Sequence, residues 1–134
     1  MAFTGTILLV DDEAHIRKFL GLLLRQLGSP NVIEAANGLE AVAAFEKERP
    51  DLVLLDVNMP FMDGLAALKK MKEIDPECIV IMLTSVTNRS TVEEAAGLGA
   101  TSYLRKDLPK EQLLEALEKT IAACFTPESP EETA

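Results

Sequence analysis

Apolar and polar positions alternate between two periods along this chain. Thr6-Ile7-Leu8-Leu9-Val10 is a short continuous apolar run, which suits a strand buried on both faces. Ile16, Leu20, Leu23, Leu24 and Leu27 then fall on one face of a helix, and Gly28 followed by Ser29-Pro30 predicts its end. Asn31-Val32-Ile33-Glu34-Ala35 reads as a second strand, less apolar and therefore at an edge. Asn37 and Glu40 form a capping-box pattern for a helix with Val42 and Phe45 inward, and Pro50 stops it after about Glu48. Leu52-Val53-Leu54-Leu55 has no polar face and reads as the most central strand.

The second half repeats the alternation. Asp63 predicts the cap of a third helix carrying Leu65, Leu68 and Met71. Asp75-Pro76-Glu77 is a turn, and Cys78 to Leu83 is a fourth strand. Asn88 to Leu98 is a weak, Ala-rich helix, Ala100 to Leu104 a fifth strand, and Leu113, Leu114, Leu117 and Ile121 mark a last helix. Strands alternating with helices of this length imply βαβ units, a parallel sheet and helices on both faces. From Phe125 onward the composition shifts to Pro and Glu, and 124–134 is expected to be a disordered acidic tail or the start of a linker.

Composition narrows the function. The chain has 134 residues, 48% of them apolar, enough for one domain with its own core and too apolar for a disordered chain. Twenty-two Asp and Glu against 13 Lys and Arg give a net charge of −9, which repels phosphate backbones and argues against direct nucleic-acid binding. No apolar run approaches the ~20 residues of a membrane span. The N-terminus carries no signal-peptide pattern, and the two cysteines form no CxxC pair, so the expected location is the cytoplasm.

Ligands of a parallel α/β sheet bind beyond the carboxyl ends of its strands. Strand one ends in Asp11-Asp12-Glu13, strand three in Asp56, strand four in Thr84-Ser85 and strand five in Arg105-Lys106. Three converging carboxylates repel unless a cation intervenes, and a hard oxygen donor set with room for water suits Mg²⁺. One carboxylate can then act as nucleophile toward a phosphoryl group, with Lys106 neutralising charge and the Thr84 hydroxyl donating to a phosphate oxygen. An Asp-Asp pair after a strand is often just a helix cap, and Thr84 or Lys106 alone is unremarkable. Asp56, ending an apolar run where an unpaired carboxylate is costly, is harder to explain structurally.

These residues, in this order, resemble the receiver domain of bacterial two-component response regulators, over residues 4–123. The pieces are Ile7 to Glu13, Asp51 to Pro60, Met62-Asp63-Gly64, Ile81 to Ser85 and Gly99 to Lys106. The resemblance implies a flavodoxin-like doubly wound (βα)5 fold with five parallel strands in the order 2-1-3-4-5, the order for which the chemotaxis member of the family is a standing example. It implies Asp56 as phospho-acceptor from a histidine kinase or phosphotransfer protein. Asp12 and Asp11 would serve Mg²⁺ together with Asp56 and the backbone carbonyl of Asn58. Lys106 would pair with the phosphoryl group, and Thr84 and Tyr103 would act as the switch. It further implies self-dephosphorylation, a signalling switch rather than an enzyme, and output by protein contact through helix four, strand five and helix five. The expected state is a monomer, with a phosphorylation-linked dimer as the alternative.

Two departures stand out. Asp107 follows Lys106 where the family usually has proline, often cis. A non-proline cis bond costs about 3–4 kcal/mol, so a trans bond and a reshaped loop are expected, with Lys106 still reaching the site. Val86 stands two residues after Thr84, a position near the phosphate in this family. His15 reads as an exposed first-turn residue rather than a phosphate carrier. Phe61 and Leu108 lie in loops beside the expected site and are candidates for partner contact. The alternative readings are a receiver module of a larger hybrid kinase or effector protein, a Mg²⁺-dependent aspartyl-phosphate phosphohydrolase, and a flavodoxin-like cofactor binder. The phosphohydrolase would want Asp-x-Asp after strand one, and the cofactor binder a Thr/Ser/Gly-rich loop there.

Overall fold

The computed structural model describes residues 3–85 and 88–125; Val86 and the tail beyond residue 125 lie outside the described residues. Five parallel strands, β1 (Thr6–Val10), β2 (Asn31–Ala35), β3 (Leu52–Leu55), β4 (Val80–Thr84) and β5 (Ser102–Arg105), form one sheet in the order β2-β1-β3-β4-β5. Five helices alternate with them: α1 (Ala14–Arg25), α2 (Gly38–Glu48), α3 (Gly64–Ile74), α4 (Arg89–Gly97) and α5 (Lys110–Phe125). The doubly wound architecture and strand order expected from the resemblance are both present.

The two-residue period of the strands divides the core. Ile7, Leu9, Leu52, Leu54, Ile81 and Leu83 face α1 and α5, meeting Leu20, Leu24, Leu113 and Leu117. Leu8, Val10, Val53, Leu55, Val80 and Met82 face α2, α3 and α4, meeting Phe45, Leu68, Met71 and Ala95. Every residue of β3 and β4 is buried, which is why these strands are apolar throughout. The edge strand β2 is buried only at Ala35.

Local chemistry sets the helix starts. Asn37 Oδ1 accepts from Glu40 N–H at 2.9 Å, and Glu40 Oε1 accepts from Ala36 N–H at 2.9 Å. This is the capping box, reaching one residue further back than the ideal pattern. Asp63 and Asn88 cap α3 and α4 through the N–H groups of Ala66 and Thr91.

Some boundaries differ from those expected. Helix α1 ends at Arg25 rather than Gly28, because the last turn tightens: Gln26 and Leu27 donate to the carbonyls of Leu23 and Leu24. Gly28 instead pairs with Phe3 in an isolated parallel bridge. Strand β4 runs Val80–Thr84 and β5 Ser102–Arg105, each displaced toward the C-terminus from the expected range. Helix α5 continues through Cys124 to Phe125, beyond the 4–123 boundary expected, and the Phe125 ring packs edge-on against Phe3 with centroids 5.0 Å apart.

Gly21 sits inside α1, and a methyl group there would meet nothing within 4 Å. Gly21→Ala is therefore expected to stabilise the protein by about 0.5–1 kcal/mol, by lowering unfolded-chain entropy without a steric cost. Urea denaturation of the two proteins measures this directly.

Candidate functional site

Backbone pairing brings the candidate residues together. Val10 lies opposite Leu55 in the β1–β3 register, so the next residues, Asp11 and Asp56, leave the sheet side by side. Their backbones remain tied to it: Asp11 N–H donates to the Ala35 carbonyl at 3.2 Å and Asp56 N–H to the Val10 carbonyl at 3.1 Å. On the other side, Thr84 pairs with Arg105, and Lys106 N–H donates to the Thr84 carbonyl at 3.1 Å. Lys106 thus starts its side chain at the same carboxyl edge.

The side chains then converge. Lys106 Nζ donates to Asp11 Oδ2 at 2.6 Å and to Asp56 Oδ2 at 3.0 Å. Asp11 and Asp56 are 1% and 4% exposed, so this ammonium bridges two buried carboxylates. Their other oxygens accept backbone N–H groups: Asp56 Oδ1 from Val57 at 2.8 Å and Asp11 Oδ1 from Glu13 at 2.9 Å. Burial pushes the Lys106 pKa down, but the hydrogen bonds and charges of Asp11 and Asp56 outweigh it, leaving it above the ordinary lysine value. Lys106 is a fixed cation at neutral pH.

Asp12 is exposed, and one carboxylate oxygen from each of Asp11, Asp12 and Asp56 can lie within 4.8 Å of the others. The set fits a hard divalent cation: all donors are oxygens, and the exposed member leaves room for water. Neither aspartate occupies the cap position of α1, which is Glu13, without a side-chain cap bond. Asn58 follows in the β3–α3 loop and is exposed. Thr84 is fully buried at the end of β4. Tyr103 is half-buried on the face of α4, where burial first, and then the Asp56 charge, raise its pKa. It lines a cavity of about 160 Å³ with Val92, Ala95, Ala96 and Ala100.

The loop after Lys106 takes a form that needs no proline. No cis peptide occurs among the described residues. The Arg105 guanidinium forks onto Asp107, Nε to Oδ1 at 3.0 Å and Nη2 to Oδ2 at 3.1 Å. This exposed pair sits across Lys106, whose own chain turns inward. His15 is exposed in the first turn of α1, and Leu108 is half-buried against the core.

Some contributors were not legible in the sequence. Arg17 Nη1 donates to the Asp11 carbonyl at 2.7 Å while its Nε donates to Glu34 Oε1 at 2.8 Å. It braces the Asp11 turn against the edge strand, and only strand order reveals that partnership. Gly64 N–H donates to the Val57 carbonyl at 2.7 Å. Its missing side chain admits the Asp56 carbonyl, which a Cβ would meet at 1.9 Å. In the sequence Gly64 stands out only as part of Met62-Asp63-Gly64.

Comparison with known proteins agrees with this geometry. The response regulator receiver domain family matches residues 7–118. The chemotaxis protein CheY of Bacillus subtilis is 39% identical over 115 residues, covering 86% of this chain and 96% of that one. The sporulation initiation phosphotransferase F of the same organism is 40% identical over 113 residues, covering 84% and 90%. Among solved structures, a chain of the CheX–CheY–BeF3–Mg²⁺ complex from Borrelia burgdorferi superposes with a TM-score of 0.82 at 28% identity, over 91% of this chain and 90% of that one. A chain with this sheet, this acidic edge and this breadth of similarity belongs to the response regulator receiver domain family, whose work is phosphorylation-based two-component signalling.

Proposed function

We propose that Asp56 is the phosphoryl acceptor of this receiver and that a histidine kinase or phosphotransfer protein is its donor. The observation that carries this is the placement of the Asp56 carboxylate, buried at the carboxyl edge of the central strand, 3.0 Å from the Lys106 ammonium and beside Asp11 and Asp12. Asp11, Asp12, Asp56 and the Asn58 backbone carbonyl would hold Mg²⁺. The ion supplies charge neutralisation for a phosphoryl group in transfer.

The chain's own residues do the rest. A carboxylate oxygen of Asp56 attacks phosphorus, and the bond from phosphorus to the donor atom breaks. Lys106 is already held at the acceptor, so it meets the incoming phosphoryl oxygens with a charge that needs little rearrangement. Once Asp56 carries the phosphoryl group, the Thr84 hydroxyl donates to one of its oxygens, and Tyr103 moves inward behind it. The cavity between Tyr103 and α4 gives this movement room. The phosphoryl group shifts an equilibrium only by its differential affinity for the two arrangements. Output runs through α4, β5 and α5 to a partner protein, and water returns Asp56 to its free carboxylate.

In this reading the domain is a switch rather than an enzyme acting on a separate substrate, and unphosphorylated protein is a monomer. Similarity to chemotaxis CheY proteins over almost their whole length supports this reading. Among the described residues no helix is long and apolar enough to cross a membrane.

Intact-mass measurement after incubation with acetyl phosphate, in MgCl₂ and in EDTA, tests the reading. A gain of one phosphoryl group that requires the metal, mapped to Asp56 by fragmentation, is the expected result. No gain, or a gain mapped elsewhere, overturns it. Sustained turnover of ordinary phosphate monoesters would point to the phosphohydrolase instead.

A further inference from the structure

Phe61 is 82% exposed in the loop between β3 and α3, and its φ is +69°. A bulky residue in that region is a backbone outlier. The local hydrogen bond explains the conformation: Met62 N–H donates to the Pro60 carbonyl at 2.8 Å, closing a three-residue γ-turn with Phe61 at its centre. The γ-turn with positive φ is the strained form.

The surroundings hold that strain in place. Gly38 N–H donates to the Met62 carbonyl at 3.0 Å, and Gly64 N–H closes the loop onto Val57 at 2.7 Å. Asp63 is occupied in capping α3. Gly64 lies three positions after Phe61, so their Cα atoms are within about 11 Å, and Gly64 abuts the Asp56 carbonyl. A costly backbone conformation thus projects an aromatic ring into solvent from the loop that leads out of the acceptor strand. The exposed ring adds little to the core, and glycine or asparagine would take the same turn more cheaply. Strain of this kind is retained where the site uses it.

We propose that Phe61 is the apolar anchor on which a phosphohistidine-bearing protein docks over Asp56; this rests on Asp56 being the acceptor. Aromatic side chains, Phe among them, are enriched in the buried centres of protein contacts. A donor protein must bring its histidine to the Asp56 carboxylate and therefore comes up against this loop. The fit is to a donor with an apolar recess beside its phosphohistidine. In the transfer a bond forms between Asp56 oxygen and phosphorus. The phosphorus–nitrogen bond breaks, and its electron pair stays on the imidazole nitrogen, which then takes a proton. A small acyl phosphate reaches the same carboxylate without touching Phe61.

That difference makes the test. Wild type, Phe61→Gly and Phe61→Leu are phosphorylated by acetyl phosphate with Mg²⁺. In parallel they are phosphorylated by the autophosphorylated histidine kinase core, from the same genome, that transfers fastest to wild type. Phe61→Gly is expected to melt no lower than wild type and to match it with acetyl phosphate, yet to accept from the kinase at least about tenfold more slowly. Phe61→Leu, which keeps the apolar contact, should stay within about threefold of wild type. Equal kinase transfer to wild type and Phe61→Gly overturns the proposal, as does an equal slowing with both donors. If wild type takes no phosphoryl group from acetyl phosphate, the acceptor assignment itself fails, and the anchor with it.

Discussion

Asp56→Asn is expected to abolish phosphoryl incorporation from any donor while raising the stability of the metal-free protein. The first effect follows from chemistry: an amide has no carboxylate oxygen to attack phosphorus. The second follows from the charge balance of the site. Asp56 lies with Asp11 and Asp12 in a cluster whose carboxylate oxygens can come within 4.8 Å of one another, and among the described residues Lys106 is the one cation bonded to both Asp11 and Asp56. Asn keeps the shape and one carbonyl that can accept from Lys106, gives up the second acceptor that Val57 N–H uses, and removes one of the repelling charges. A gain of about 1 kcal/mol, or about 3 °C in melting temperature, is expected. Mg²⁺ binds the folded site and stabilises it by mass action, so added MgCl₂ should raise the wild-type melting temperature more than that of the variant. Thermal melts with MgCl₂ and with EDTA, alongside intact mass after acetyl phosphate treatment, read all three effects. A destabilised variant that is indifferent to the metal in the same way as wild type would contradict the site as described.

Gly64→Ala is expected to damage folding and phosphorylation together. A Cβ at this position would lie 1.9 Å from the Asp56 carbonyl oxygen, 2.8 Å from its carbonyl carbon and 2.9 Å from the Val57 Cα. These are backbone atoms of the central strand's end, so no side chain can swing aside. Either α3 moves outward, losing the contact of Leu68 and Met71 with the sheet, or Asp56 moves. The destabilisation expected is about 3 kcal/mol or more, the upper end for overpacking. Displacement of the acceptor by an ångström slows phosphorylation by ~100-fold. Urea denaturation gives the first number and the rate of phosphorylation by acetyl phosphate the second. The contrast with Gly21→Ala is informative, since the same substitution in open space carries the opposite sign.

The fold was legible because two periods alternate so clearly. Apolar runs at residues 7–10, 52–55 and 78–83 suit strands covered on both faces. The helical stripes between them supply the covers. Asn37 and Asp63 announced their helices because capping is a local interaction within a few residues. The ends were less legible. Helix α1 tightens and stops before Gly28 because Phe3, far away in sequence, claims that glycine as a bridge partner. Helix α5 extends to Phe125 because the same Phe3 offers its ring an edge-on contact. Neither partner shows in a local pattern.

The site divides in the same way. The sequence by itself determined which residue types stand at the strand ends: acids after β1 and β3, a hydroxyl after β4, a lysine after β5. It did so because a period-two strand and its chain direction fix which residues emerge at the carboxyl edge. Only the tertiary structure decided that Lys106 bridges Asp11 and Asp56, that Arg17 braces Asp11 against Glu34, and that Gly38 clamps the turn at Phe61 through the Met62 carbonyl. Each of these depends on chain segments distant in sequence, brought together by strand order and register, and distance through space is the one quantity that local spacing does not contain.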